Sequence, residues 1–327
     1  MDGPRLLRHA SECRQQAEGL AESDAHKLFA AMLDGGLPDL ELGAALATLG
    51  TLPGDSLELL GFNRALHERV RPLAVPVSDI HPVVIPSYGN VRDQFNLVPL
   101  VAMLLARVGI PVVVHGTLEG AERISSATVF RELGVMPCTT MAQIDAVLES
   151  QCLAFVPTGL LSPGLAKLIA LRGRLGVRNV AHIVARLLDP FGGEGLRMTG
   201  ATHPGLHECM RDFFLASGDR ALLLRATSAE PFADPRRRPS IELIESGGSR
   251  QLFAEEHSQA VDVALPAKRP EARATAEYTR AVLEGHQAVP MPIVNQIACC
   301  LYGAGYASDF NQAKAIVAVE TRAIGAV

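Results

Sequence analysis

The chain has no tryptophan, and its 4 tyrosines and 11 phenylalanines bring aromatic residues to only 5% of 327 positions. That scarcity argues against a surface that recognises nucleic-acid bases mainly by stacking. The six cysteines, Cys13, Cys138, Cys152, Cys209, Cys299 and Cys300, include no C-x-x-C pair. Neither a disulfide framework nor a zinc site is suggested, and buried free thiols are expected. Long apolar runs are missing too. The longest, Leu97 to His115, is broken by Arg107 and reads as a helix followed by a strand. With no basic-then-apolar leader at the start, the expectation is a soluble cytoplasmic protein that does not enter a membrane.

A further absence is local. Between Glu149 and Asp189 there is no acidic residue, while Lys167, Arg172, Arg174, Arg178 and Arg186 all fall inside. A net charge of −5 therefore conceals a basic stretch. A second basic cluster, "DPRRRPS", sets Arg236, Arg237 and Arg238 side by side between two prolines that forbid a continuous helix.

What is present is ample for a core: 48% of the residues are apolar, enough for one large or two ordinary domains. The first seventy residues carry apolar residues at helical spacing with no strand-like alternation. Asp39 stands near one helix start, and Asp55 or Ser56 is placed to cap another. From Val83 the pattern changes. "VVIP" reads as a strand, Asn96 to Val108 as a helix stopped by Gly109, and "IPVVVHG" as a second strand, which makes a βαβ unit and a parallel sheet. "CLAFVP" and "RALLLRA" read as further strands. Ala121 to Leu133, Ala142 to Ser150, Pro163 to Arg174 and His207 to Ser217 read as helices, and three more close the chain after a polar connector, "ALPAKRPEARAT".

The fold class that follows is α/β. A small all-helical domain is expected from residues 1–76 together with an excursion at about 162–189. Residues 77–161 and 190–327 would form a larger α/β domain with a mainly parallel central sheet.

In a βαβ unit a ligand sits beyond the carboxyl ends of the strands, where backbone N–H groups and a helix N-terminus favour an anion. Two segments belong to that edge, the loop around "PSYGN" and "HGTLEGAERISS". Spacing alone leaves two readings open. Either these loops hold a phosphate, or Gly89 is a turn residue and His115 a satisfied polar side chain at a strand end.

The stretches "LFAAMLDGGLPDLELGAALATLGTLPGDSLELLGFNRAL", "FNLVPLVAMLLARVGIPVVVHGT", "LRGRLGVRN", "GATHPGLHECM" and "NQIACCLYGAG" resemble the anthranilate phosphoribosyltransferases. These belong to glycosyltransferase family 3 and share the fold of the class II nucleoside phosphorylases. The resemblance covers nearly the whole chain and implies a phosphate site at Ser87, Gly89, Asn90, Asn96, His115, Gly116 and Thr117. That site departs from the family's pattern. Where the family has a Gly-Thr-Gly-Gly-Asp loop, this chain has "PSYGN", with Tyr88 and Asn90 in place of a glycine and the aspartate. Val98 replaces the serine that follows the retained Asn96, and Val114 replaces a lysine that counters phosphate charge. The magnesium-holding Asp-Glu pair is reduced to Glu230 followed by Pro231, and Ser162 stands where a histidine is expected near the acceptor. Arg172 matches the arginine that meets the acceptor's carboxylate.

The resemblance extends to the YbiB-like branch of this family, which departs at the same loop and implies a homodimer that binds nucleic acid without sequence preference and lacks phosphoribosyl transfer. On that implication Arg236, Arg237, Arg238, Lys167, Arg172, Arg174 and Arg178 contact phosphates, no cofactor is needed, and the interdomain cleft is free for a small phosphorylated ligand. The alternative is an active family member using phosphoribosyl pyrophosphate with Mg2+, or a nucleoside phosphorylase.

Overall fold

The computed structural model describes residues 3–50, 52–89, 91, 94–119, 123–225, 230–256 and 271–324. Four helices open the chain: α1 (Gly3–Gln15), α2 (Glu22–Leu33), α3 (Asp39–Leu49) and α4 (Ser56–His67). Asp55 caps α4, its carboxylate accepting the Glu58 N–H at 2.8 Å. The fully buried Glu58 carboxylate joins three segments: it accepts from Arg14 Nη2 at 2.6 and 2.9 Å, from Gly54 N–H at 2.7 Å and from Leu20 N–H at 3.3 Å.

Seven strands form one sheet: β1 (Val83–Ser87), β2 (Val112–Gly116), β3 (Leu153–Pro157), β4 (Leu196–Ala201), β5 (Ala221–Arg225), β6 (Ile241–Glu245) and β7 (Gly248–Phe253). Their order is β3-β2-β1-β4-β5-β6-β7. The first five pair in parallel and the last two antiparallel, so the fold is the α/β arrangement the sequence predicts. Strands 1, 2 and 5 are apolar on both faces because both faces are covered. Val83, Ile85, Val112, Val114, Leu222 and Leu224 pack into one core, while Val84, Val113 and Leu223 pack into the other.

Helix α5 (Val98–Arg107) links β1 to β2, and α6 (Ser126–Glu132) and α7 (Met141–Gln151) precede β3. After β3 the chain leaves the sheet through α8 (Thr158–Leu161), α9 (Pro163–Ala170), α10 (Arg172–Leu175) and α11 (Ala181–Val184). In this excursion α9 packs on α2, and α11 on α4. A Cβ on Gly164 would lie 2.2 Å from Leu33 O, so the α2–α9 contact requires glycine there. Helix α12 (Pro204–Ser217) joins β4 to β5, and α13 (Ala272–Leu283), α14 (Met291–Gly303) and α15 (Phe310–Ile324) end the fold. No helix among the described residues is long and apolar enough to cross a membrane.

Several boundaries differ from expectation for identifiable reasons. The helix expected from Asn96 begins at Val98, because the Asn96 side chain accepts the Val98 N–H at 3.3 Å. The one expected from Ala121 begins at Ser126, capped by Ser125, and its first two positions lie outside the described residues. The helix expected over Pro163 to Arg174 is two short ones that meet at Leu171. The polar connector lies mostly outside the described residues. Strands β4, β6 and β7 were not foreseen. Buried Arg197 hides β4; its guanidinium is met by Asp219 at 2.5 Å and by Leu187 O at 2.9 Å.

Replacing Glu58 with alanine removes the shared acceptor of Arg14, Gly54 and Leu20. It is expected to lower unfolding free energy by about 3 kcal/mol, read as a lower denaturant midpoint. A change below about 0.5 kcal/mol, within the range of ordinary surface substitutions, would show that the junction is held by packing alone.

Candidate functional site

The carboxyl ends of β1, β2 and β3 and the excursion helices enclose a cleft of about 670 Å3. Apolar Leu118, Pro157, Ala166, Ile169 and Ala170 line it, together with Tyr88, Thr117, Thr158, His182 and one side chain of each charge, Glu119 and Arg172.

Its floor is made by the residues expected to hold phosphate, and they are engaged with one another. Ser87 Oγ donates to Ser126 Oγ at 2.7 Å, Ser126 Oγ donates to Asn96 Oδ1 at 3.4 Å, and Asn96 Nδ2 donates to Ile124 O at 3.2 Å. All three side chains are buried. Tyr88 turns its ring into the core, with its hydroxyl 2.8 Å from His115 Nδ1 and 3.0 Å from Thr158 Oγ1. Thr158 Oγ1 also reaches Gly116 O at 2.9 Å. A Cβ on Gly116 would lie 2.2 Å from Ser87 O, so that glycine serves the close approach of β1 and β2. Thr117 Oγ1 donates to Glu119 O at 3.0 Å. Asn90 lies outside the described residues.

Burial sets the protonation of this floor. The fully buried His115 imidazole has its pKa pushed down to about 3, and burial raises the Tyr88 hydroxyl well above the usual phenol range. The Tyr88–His115 pair is therefore uncharged, with His115 Nε2 buried and unpartnered among the described residues.

The rim is cationic. Arg178 donates to Gly89 O and so ties the excursion to the loop after β1. Burial, with the neighbouring charges of Arg186, Arg172 and Arg123, brings its pKa down to about 10, and Glu230 opposes them. Arg186 is buried and donates to Gly200 O at 3.1 Å. The side chains of Arg123 and Arg172 make no ion pair or hydrogen bond among the described residues, and neither does that of Lys167, exposed on α9. Arg174 stands apart, 75% exposed and 3.7 Å from Asp39.

The arginine triplet is arranged differently. Arg236 pairs with Asp234 at 2.9 Å, Arg237 with Glu255, and Arg238 with Glu256 at 2.7 Å. Arg238 also lies over the Phe253 ring, 5.0 Å from its centroid. Ser162 caps α9, accepting the Leu165 N–H at 3.4 Å.

These residues do not fit a magnesium–pyrophosphate site. Glu230 is fully buried, with Arg178 and Arg186 as its cationic neighbours, and no group of three or more metal-ligating side chains occurs among the described residues. Sequence reasoning missed two contributors, Arg123 and His182. His182 lay inside the acid-free stretch, but as a lone histidine in an apolar run it carried no distinguishing signal.

Helical opening, mainly parallel sheet and cleft together define an anthranilate phosphoribosyltransferase-like protein. No model of a known protein family matches the sequence. Over 318 residues the chain is 37% identical to the "Uncharacterized protein YbiB" of Escherichia coli (strain K12), a match covering 97% of this chain and 99% of that one. The fold matches the anthranilate phosphoribosyltransferase (TrpD) of Thermus thermophilus with a TM-score of 0.75 at 21% identity, covering 97% and 95% of the two chains. It also matches the Saccharomyces cerevisiae enzyme in complex with PRPP and Mg, with a TM-score of 0.69 at 12% identity over 94% and 90%. The chain belongs to the anthranilate phosphoribosyltransferase-like family, with YbiB among its near full-length relatives.

The neutral floor gives stability a pH dependence. His115 and His182 have folded pKa values depressed to about 3 and about 4, below the unfolded value. Their contribution is complete above the unfolded histidine pKa and is lost as pH falls towards those folded values. Relative to pH 8, each is expected to cost about 2 kcal/mol at pH 5. His115→Gln should flatten the denaturant-midpoint profile over that interval, and an unchanged profile would show that His115 titrates freely.

Proposed function

We propose that this protein binds nucleic acid through its phosphate backbone, without sequence preference, and has lost phosphoribosyl transfer. The observation that carries the proposal is the uncompensated rim: Arg123 and Arg172 lack carboxylate partners among the described residues, Arg178 sits beside both, and Lys167, Arg172 and Arg178 fall in a stretch devoid of acidic residues. Guanidinium forks suit phosphate oxygens, and several in one place gain affinity by releasing counterions.

Loss of transfer is supported by the floor. Transfer needs stabilisation of departing pyrophosphate. Here Val114 stands in place of a lysine, Tyr88 fills the loop, and Glu230 faces guanidinium groups instead of forming half of a metal site. The yeast structure binds PRPP and Mg; in this chain Mg2+ is needed only on the alternative that transfer survives.

In this proposal residues 1–76 with 162–189 form a dimerising helical unit. Support comes from an apolar surface along α3 and α10, where Leu40, Leu175 and Val177 are 83%, 42% and 62% exposed. A two-fold dimer would present the rim twice along a strand.

The paired triplet contributes less than the cleft rim in this account. Arg123→Ala combined with Arg172→Ala is expected to weaken oligonucleotide binding at least about tenfold, equally for unrelated sequences. Arg236→Ala, Arg237→Ala and Arg238→Ala together should change it less than about threefold, because each must give up a carboxylate to meet phosphate. The reverse ranking in fluorescence anisotropy would move the interface to the triplet. Saturable thermal stabilisation by PRPP with Mg2+, accompanied by pyrophosphate release, would return the chain to the transferases.

A further inference from the structure

Far from the cleft in strand order, the sheet ends on β7, which pairs with β6 alone. Ser246 and Gly247 make a two-residue turn between them, with Glu245 opposite Gly248. That closing pair exchanges both of its hydrogen bonds, so by alternation Ser249 and Gln251 direct their N–H and C=O away from β6. Gly248, Ser249, Arg250 and Gln251 are exposed, and no residue of β7 has a backbone partner beyond β6 among the described residues. The edge is open.

A platform of rings and cations stands beside it on the side of α14 and α15. Leu243, opposite Arg250, packs into the core with Ile297 and Cys300 of α14, so Arg250 leaves the sheet on that side and lies over the Tyr302 ring, 4.7 Å from its centroid. Exposed Lys314 of α15 lies 4.5 Å from the Phe310 centroid and 5.6 Å from that of Phe253. The three rings are contiguous, Phe310 being 5.4 Å from Phe253 and 5.7 Å from Tyr302. A ring face attracts a cation without neutralising it. Neither Arg250 nor Lys314 has a carboxylate partner among the described residues. The opposite side of β7 is satisfied: Arg211 donates to Ser249 Oγ at 2.8 Å and pairs with Glu242 at 2.9 Å.

We propose that β7 is the docking edge for an extended segment of another protein, which adds a strand to the sheet: its backbone pairs with Ser249 and Gln251, and carboxylates at alternate positions meet Arg250 and Lys314. The open N–H and C=O groups favour a polypeptide over a nucleic acid, which has no use for them, and the rings already carry cations where bases would stack. A second copy of this chain fits poorly, because two-fold pairing of β7 with itself would set one cationic platform against another. This surface is separate from the cleft rim and does not rest on the nucleic-acid reading.

The test titrates a fluorescein-labelled peptide of alternating glutamate and valine into the intact protein, with the lysine-valine peptide as control. Gln251→Pro removes an N–H that faces away from β6, a place where an edge strand accepts proline; Arg250→Glu combined with Lys314→Glu reverses the platform's charge. The glutamate peptide is expected to bind wild type and slow amide exchange at Ser249 and Gln251, while the lysine peptide does not bind. Gln251→Pro and the double reversal should each weaken binding about tenfold. Should Gln251→Pro unfold, the double reversal and the wild-type exchange pattern decide by themselves. Binding that survives the double reversal, or that is lost instead with Arg123→Ala and Arg172→Ala, would overturn the edge site. So would the absence of binding, and an oligonucleotide weakened by the double reversal in that case would assign the platform to phosphate.

Discussion

The structure depends on a tyrosine at a position where the family resemblance implies a glycine. A glycine there lets backbone approach phosphate; Tyr88 places a ring in that space and satisfies its hydroxyl with His115 and Thr158. Once the ring is buried, the rest of the floor follows. A polar group shut away from water must find a partner inside the protein, and Ser87, Ser126 and Asn96 find one another. The hydroxyls and amide that the family resemblance assigns to phosphate become internal connections among β1, α5 and α6.

Closing the floor changes the electrostatics of the rim. Arg178 and Arg186 donate to backbone carbonyls and lie in the field of Glu230, while Arg123, Lys167 and Arg172 keep no carboxylate among the described residues. The acid-free stretch is therefore more than a compositional accident. A carboxylate on α9, α10 or α11 would neutralise the edge of the cleft where unpaired positive charge collects. The triplet shows the contrast: Arg236, Arg237 and Arg238 are adjacent in sequence, yet each meets its own carboxylate. Run length in sequence is a poorer guide to free charge than the absence of acids nearby.

The sequence made the parallel core legible because doubly buried strands such as "VVIP" and "VVVHG" read as continuous apolar runs between helical segments. Strand β4 was not legible. Its buried Arg197 mimics a surface residue until Asp219 and Leu187 are seen beside it. The hairpin of β6 and β7 passed unread although "ESGG" turns it, with Ser246 and Gly247 at φ 51° and 72°. At the site, the βαβ reading put Ser87, His115 and Gly116 at the strand ends, where β1 and β2 do place them. It did not reveal that they bond to other residues of the floor, since hydrogen-bond partners 27 or 39 residues apart leave no local pattern. Arg123 and His182 gave no signal either, one a single arginine outside the acid-free stretch and the other a lone histidine in an apolar run.

The central claim is that the cleft rim has exchanged one phosphorylated substrate for a phosphate backbone. The most direct measurement is the affinity of the intact protein for oligonucleotides of unrelated sequence across a series of salt concentrations. Four cations, Arg123, Arg172 and Arg178 at the rim and Lys167 exposed on α9, predict that log affinity falls linearly with log salt with a slope of magnitude about 3 for each protomer engaged, alike for every sequence. Failure to bind at low salt, or binding that ignores salt, would contradict it.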